Sequence, residues 1–200
     1  MSIKSLKENF GNIDIYLFDQ LLKERYRNTD KILDAGCGNG RNLYWFYHHE
    51  YSIYGIDKDQ KSIEYNKTIY PDAKDNFIVS ELNTIPFKDE FFDHILSNAV
   101  LHFAKSTDHF KTMFAELVRV LKANGSLFIR MTSTIGIEAN VNEISNGVYS
   151  IPDGTTRFLI TKELINQLMK VHHLSFLEPI KTVNVNDKRC MTTLVLKKLK

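Results

Sequence analysis

Apolar residues recur along this chain with two periods, and the alternation between those periods predicts its architecture. Ile13, Tyr16, Leu17 and Leu21 fall at helical spacing, so residues 13–26 are expected to form an amphipathic leading helix within an N-terminal helical cap over 1–30. Short apolar runs at 31–35, 52–56, 76–80, 92–97 and 126–131 read as strands. Helical patterns at 41–49, 59–69 and 107–122 lie between them. The last is the clearest: Phe110, Met113, Phe114, Leu117, Val118 and Leu121 make one stripe, and Asn124-Gly125 ends it. Residues 81–90 are polar and contain Pro86, so they read as a loop. Strands alternating with helices imply a parallel sheet with right-handed crossovers, hence a doubly wound α/β domain.

Beyond residue 131 the periodicity fails. Residues 132–160 mix Thr, Ser, Gly, Asn and Ile without a period and read as an irregular insertion serving as a substrate lid. Thr161 is the expected N-cap of a helix that carries Leu164, Ile165, Leu168 and Met169 on one side. Strands near 175–185 and 191–197 flank Asn186-Asp187-Lys188-Arg189, which predicts a terminal hairpin and therefore antiparallel pairing. The whole of 1–200 reads as a single domain.

Composition narrows the partners. The 200 residues carry a net charge of only +2, so the basic footprint of a nucleic-acid binder is missing and no nucleic acid is expected. No apolar run approaches the ~20 residues that span a bilayer, and Met1 to Phe10 lacks the continuous apolar core of a secretory signal. Two cysteines cannot form a disulfide framework, which points to a reducing, cytoplasmic setting; the oligomeric state stays open between monomer and homodimer. The His48-His49 and His172-His173 pairs point their rings in different directions with no third ligand at a helpful spacing, so no metal is expected.

The chemistry concentrates in Ile32-Leu33-Asp34-Ala35-Gly36-Cys37-Gly38-Asn39-Gly40-Arg41-Asn42. Glycines between a strand and a helix let main chain approach a ligand closely, because no Cβ intervenes. Asp57 closes the next apolar strand, where a carboxylate can accept hydrogen bonds from both hydroxyls of a ribose cis-diol. A nucleoside cofactor follows. A dinucleotide fits poorly: Arg41 stands where its fingerprint needs a third glycine, and Asp34 would face the pyrophosphate. At 4 Å such like charges repel by about 4 kcal/mol at an effective dielectric near 20. The same carboxylate attracts a ligand that carries an ammonium and a sulfonium.

Here the chain resembles a known family. Asp34-Ala35-Gly36-Cys37-Gly38-Asn39-Gly40 is similar to motif I of the class I S-adenosylmethionine-dependent methyltransferases, and Gly55-Ile56-Asp57 to their second-strand motif. Pro86-Phe87 with Phe92-Asp93-His94-Ile95-Leu96-Ser97 resembles the approach to their fourth strand. Leu121-Lys122-Ala123-Asn124-Gly125-Ser126-Leu127 resembles their helix-to-fifth-strand segment, with Ala-Asn-Gly in place of the usual Pro-Gly-Gly. Gly-Asn-Gly-Arg-Asn and residues 97–103 look most like the small-molecule branch, including tellurite-resistance-type methyltransferases.

The resemblance implies a Rossmann-like seven-stranded sheet with a C-terminal antiparallel hairpin. It implies in-line transfer of a methyl group from S-adenosyl-L-methionine to a small molecule, leaving S-adenosyl-L-homocysteine. Asp34, Gly36, Cys37 and Gly38 would then hold the methionine end of the cofactor, with Asn42 near its carboxylate and Asn98 alongside. Lys58 would lie by the adenine edge, which Glu81 and Leu82 would read. From the residues themselves, Tyr16 can cover a sulfonium, and His102 can serve as a base or orient a nucleophile. Tyr149 and Arg157, in the irregular insertion, can contact the acceptor. Two other readings stay open: a non-catalytic S-adenosylmethionine-binding sensor or interaction partner, and a nicotinamide oxidoreductase.

Overall fold

The computed structural model describes residues 3–200, with side chains from residue 6, so residues 1 and 2 of the expected cap lie outside the described residues. Helix α1 (Ile3–Phe10) precedes α2 (Ile15–Leu22), which is shorter than the 13–26 expected because Asp14 caps its start by accepting from the Tyr16 amide. Strand β1 (Lys31–Ala35) matches its apolar run, and the turn through 40–43 delays α3 to Tyr44–His48. Then come β2 (Ser52–Asp57), α4 (Gln60–Ile69, capped by Asp59), β3 (Phe77–Val79) and β4 (Phe92–Asn98). Helix α5 (Thr107–Val120) follows a short 3-10 turn at Leu101–Phe103.

Strand β5 (Leu121–Ser133) starts earlier than expected. Its first residues pair with Phe92 before a register shift, and Asn124 adopts φ +66° there. The main sheet has strand order β10-β11-β5-β4-β1-β2-β3, with β10 (Lys181–Val185) and β11 (Arg189–Lys198) as the terminal hairpin. Strands β1 to β5 are parallel, and β11 runs antiparallel to β5. A short eighth strand, β9 (Leu174–Phe176), pairs with the end of β11. The run expected as one strand at 175–185 is thus two strands, interrupted at Glu178-Pro179.

The 132–160 insertion is ordered, which corrects the expectation of an irregular segment. It folds as an antiparallel sheet of β6 (Asn142–Ser145), β7 (Val148–Ser150) and β8 (Thr156–Phe158). Asn146 and Gly147 both take positive φ, +46° and +84°, as a two-residue hairpin turn requires. Every residue of β6 is exposed, so the strand shows no apolar period. The small sheet is anchored through Phe158, 1% exposed and stacked on Phe110 with ring centroids 4.7 Å apart. Helix α6 (Lys162–Val171) begins at Thr161, whose hydroxyl accepts from the Leu164 amide, as expected.

Alternation along the strands divides the core into two layers. Leu33, Ile95 and Ile129 face α5 and α6, whereas Ile32, Leu96 and Phe128 face α2, α3 and α4. Helix α2 is pinned to the sheet by buried Glu178, which accepts from Lys23, Arg25 and Lys181 at 2.6–2.7 Å. No helix of the described residues is long and apolar enough to cross a membrane. The strand order reverses between β1 and β4, so a cleft opens at the carboxyl ends of those strands.

Candidate functional site

Loop 36–40 is tied to the sheet by β2. The amides of Gly36 and Cys37 both donate to the Ile56 carbonyl, at 2.8 and 2.9 Å. Gly36, at φ +83°, lies so close to the segment after β4 that a Cβ there would sit 2.3 Å from Val100 Cγ2. Gly38, at φ +49°, is the opposite case, because a Cβ would meet nothing within 4 Å. Its main chain faces open space, where a ligand can lie against it.

That space is a cleft of about 350 Å³. Gly36, Gly38, Asp57, Glu81, Leu82 and Asn98 line it, and exposed Lys58 stands at its rim. Asp57 ends β2 with its carboxylate oriented by two amides, accepting from Gly38 N–H at 2.8 Å and Asp59 N–H at 2.9 Å. Each oxygen keeps a lone pair for a further donor, and this suits a cis-diol. Glu81 is exposed at the opposite wall, and Leu82 is buried behind it.

Beneath the glycine loop the site becomes unusual. Asp34 is 1% exposed, and neither carboxylate oxygen has a hydrogen-bond partner. Burial raises its pKa to about 7; the Arg41 charge opposes the shift and Asp57 adds to it. Asn98 is also buried with both side-chain polar atoms unpartnered. The register places Asp34 beside Leu96, two residues before Asn98, and Asn98 beside Arg130. Side chains in register on neighbouring strands share a face, so Asp34, Asn98 and Arg130 all project toward α2. Buried polar groups of this kind cost free energy unless a ligand satisfies them.

The other expected residues divide. Asn42 is buried and uses Oδ1 to accept from Asp14 N–H at 3.1 Å, which ties α2 to the glycine loop. The Cys37 side chain points into the core beneath the loop, 3.6 Å from Asn66 Nδ2, so that residue offers main chain only; burial pushes its thiol pKa up. Tyr16 holds its ring against the Arg130 guanidinium, 4.9 Å from the ring centroid. His102, in the 3-10 turn after β4, is buried with Nδ1 unpartnered. Burial, helped by Arg157 and Arg189, lowers its pKa to about 4, so it is neutral at physiological pH.

Tyr149 and Arg157 pair across β7 and β8. Arg157 covers the ring of Phe103, a cleft-lining residue, at 5.1 Å. Tyr149 is not brought to the cleft; it lines a separate hollow with Glu143 and Gln167. Sequence reasoning missed Val100, Phe103 and Met113, which line the cleft, and it missed Arg130. The signal for Arg130 was present: it is the lone charge in the apolar strand run Leu127-Phe128-Ile129-Arg130-Met131.

This geometry fits one cofactor chemistry. A buried, unpartnered carboxylate awaits a cation, an oriented carboxylate awaits a diol, and an open glycine lies between them. Residues 33–129 match the family model described as a methyltransferase domain. The chain is 36% identical over 112 residues to the uncharacterized methyltransferase YodH of Bacillus subtilis, covering 54% of this chain and 42% of that protein, so it spans less than half the length of that relative.

Among solved structures, a S-adenosylmethionine-dependent methyltransferase of Methanosarcina mazei superposes with a TM-score of 0.72 at 19% identity, covering 90% of this chain and 97% of that one. The 1,6-didemethyltoxoflavin-N1-methyltransferase of Burkholderia thailandensis, solved with its substrate and S-adenosylhomocysteine, gives 0.69 at 16% identity over 93% and 76% of the two chains. Residues 33–129 thus match a methyltransferase domain, and the chain shares the fold of solved S-adenosylmethionine-dependent methyltransferases.

Proposed function

We propose that this protein transfers the methyl group of S-adenosylmethionine to a small nucleophilic molecule by in-line displacement, with S-adenosylhomocysteine as the product. The single observation that carries the reading is Asp34, a buried carboxylate with two unsatisfied oxygens beneath an open glycine loop. Bound S-adenosylmethionine supplies an electrophilic methyl on a positively charged sulfur.

The chain's own groups do the rest by placement. Asp34 neutralises an ammonium group, and Asp57, already oriented by the Gly38 and Asp59 amides, accepts the two ribose hydroxyls. Glu81 and Leu82 bound the adenine end, and Asn98 offers a carbonyl and an amide to the methionine portion. Phe103 of the turn at Leu101–Phe103 lines the cleft and Tyr16 on α2 packs on Arg130; a methyl end held between them would be shielded from water and aligned with the nucleophile. His102, uncharged, can accept a proton or hydrogen bond from the acceptor.

A small acceptor is supported by the modest net charge of +2 and by the small-molecule substrate of the Burkholderia thailandensis neighbour. The reading places the protein in the cytoplasm as a monomer or homodimer. Its two free cysteines, both buried, are consistent with a reducing compartment.

Calorimetry with S-adenosylhomocysteine tests the cofactor half. Wild type is expected to bind, and Asp57→Ala to bind at least about 100-fold more weakly, since two hydrogen bonds to a charged acceptor are lost at about 1.5–3 kcal/mol each. No binding by wild type, or equal binding by the variant, contradicts the assignment. Binding without turnover across a broad acceptor panel would make the protein a sensor.

A further inference from the structure

We propose that Arg130 is the anion-binding residue of the acceptor site, so that the acceptor carries a carboxylate. The inference rests on the methyltransferase reading above and adds the substrate class to it. The residue is built for such a contact. Its Nε is buried without a hydrogen-bond partner, and its Nη1 stands 3.6 Å from Asp14, outside hydrogen-bond distance. The Tyr16 ring covers one face of the guanidinium at 4.9 Å and fixes its plane.

The edge left over is the Nε–Nη2 fork, two parallel N–H donors matched to the two oxygens of a carboxylate. Charge agrees with geometry. Arg130 and Arg41 both approach the single carboxylate of Asp14, at 3.6 and 3.8 Å, so neither guanidinium has that acid to itself. A single guanidinium, with Asp14 and Asp34 nearby, suits a singly charged carboxylate better than a dianionic phosphate.

Strand order separates this anion from the carboxylate of the cofactor itself. The nucleoside end lies over β2 and β3 at Asp57, Glu81 and Leu82, and the ammonium site lies over β1 at Asp34. Arg130 is two strands past Asp34, on β5, about 9–10 Å further across the sheet at the usual strand spacing. It therefore stands on the acceptor's side of the methyl group.

The test titrates benzoate and benzamide, a charged and a neutral probe of the same shape, into the protein with and without saturating S-adenosylhomocysteine. The Arg130 Nε–H resonance is followed by arginine-selective NMR. Benzoate is expected to shift that resonance downfield and to bind at least tenfold tighter than benzamide. Arg130→Gln is expected to erase the difference and Arg130→Lys, which keeps charge but loses the fork, to restore only part of it. S-adenosylhomocysteine affinity should stay within about twofold in both variants.

Equal responses to the two probes, or no response to either, overturn the proposal. So does a tenfold or greater loss of S-adenosylhomocysteine affinity in Arg130→Gln, which would assign the residue to the cofactor's carboxylate. Failure of wild type to bind S-adenosylhomocysteine instead defeats the methyltransferase reading, and the cofactor-free titration still decides whether Arg130 holds an anion.

Discussion

Replacing Asp34 with asparagine separates what its charge does to the fold from what it does for cofactor binding. In the free protein the carboxyl is 1% exposed and unpartnered, and burial moves its pKa from 3.8 to about 7. At about 1.4 kcal/mol for each tenfold change in proton affinity, ionising it there costs about 4 kcal/mol. The sign follows from the folded chain holding this proton longer than the unfolded chain. Stability falls as pH rises from about 4 to 7 and stays low above that.

The asparagine side chain has the same shape and no charge to desolvate. At pH 8 the Asp34→Asn variant should therefore unfold at a higher temperature than wild type, by up to about 10 °C for a domain of this size, and the gain should vanish near pH 4. Its affinity for S-adenosylhomocysteine should fall about 10- to 150-fold, the loss of a charged hydrogen-bond acceptor worth about 1.5–3 kcal/mol. Wild type should release about half a proton per ligand bound at pH 7, because half its Asp34 is protonated there. Thermal melts at pH 4 and 8, with calorimetry in two buffers of different ionisation enthalpy, read all three. A variant that is less stable at pH 8 and binds as tightly as wild type would refute the reasoning.

His102 titrates with the opposite sense: burial holds it neutral down to about pH 4, so the fold should lose up to about 3 kcal/mol as pH falls from 6.5 to 4. Urea melts of His102→Asn across that range should show a flatter pH dependence than wild type. Phe158→Ala removes the anchor of the small sheet, at a cost of about 3–5 kcal/mol. Hydrogen exchange should quicken over 142–158 while amides of β1 and β4 stay protected; uniform quickening would mean that the small sheet is part of the main folding unit.

Most of the main sheet was legible because its strands are buried on both faces and so read as short continuous apolar runs; β1 and β4 are examples. The small sheet was not, since β6 is exposed along its whole length and the sheet's hold on the body is concentrated in Phe158. Its one local sign was Asn146-Gly147, a hairpin turn easily lost in a polar stretch. The site divides the same way. Asp34 and Asp57 end strands next to a glycine loop, so their positions follow from the chain itself. Arg130 acquires its role from Tyr16 and Asp14, which reach it only when α2 packs across the sheet, and no local pattern encodes that meeting. Tyr149 shows the converse error: a position in the insertion said nothing about which hollow its side chain would face.

The order of charges across the strand tips ties these observations together. From β2 to β5 the carboxyl edge presents Asp57, Asp34, Asn98 and Arg130, two acids, an amide and a cation. With Asp14 between Arg41 and Arg130, the floor of the cleft is close to neutral, so long-range attraction contributes little and orientation contributes much. A charge placed about 10 Å from another at an effective dielectric near 20 feels about 1.7 kcal/mol. An anion is therefore favoured at Arg130 and disfavoured at Asp34, and a cation the reverse. On the proposed reading the sheet sets the direction of both reactants: the ammonium over β1, the negative end of the acceptor over β5, and the atom to be methylated between them, above Asn98.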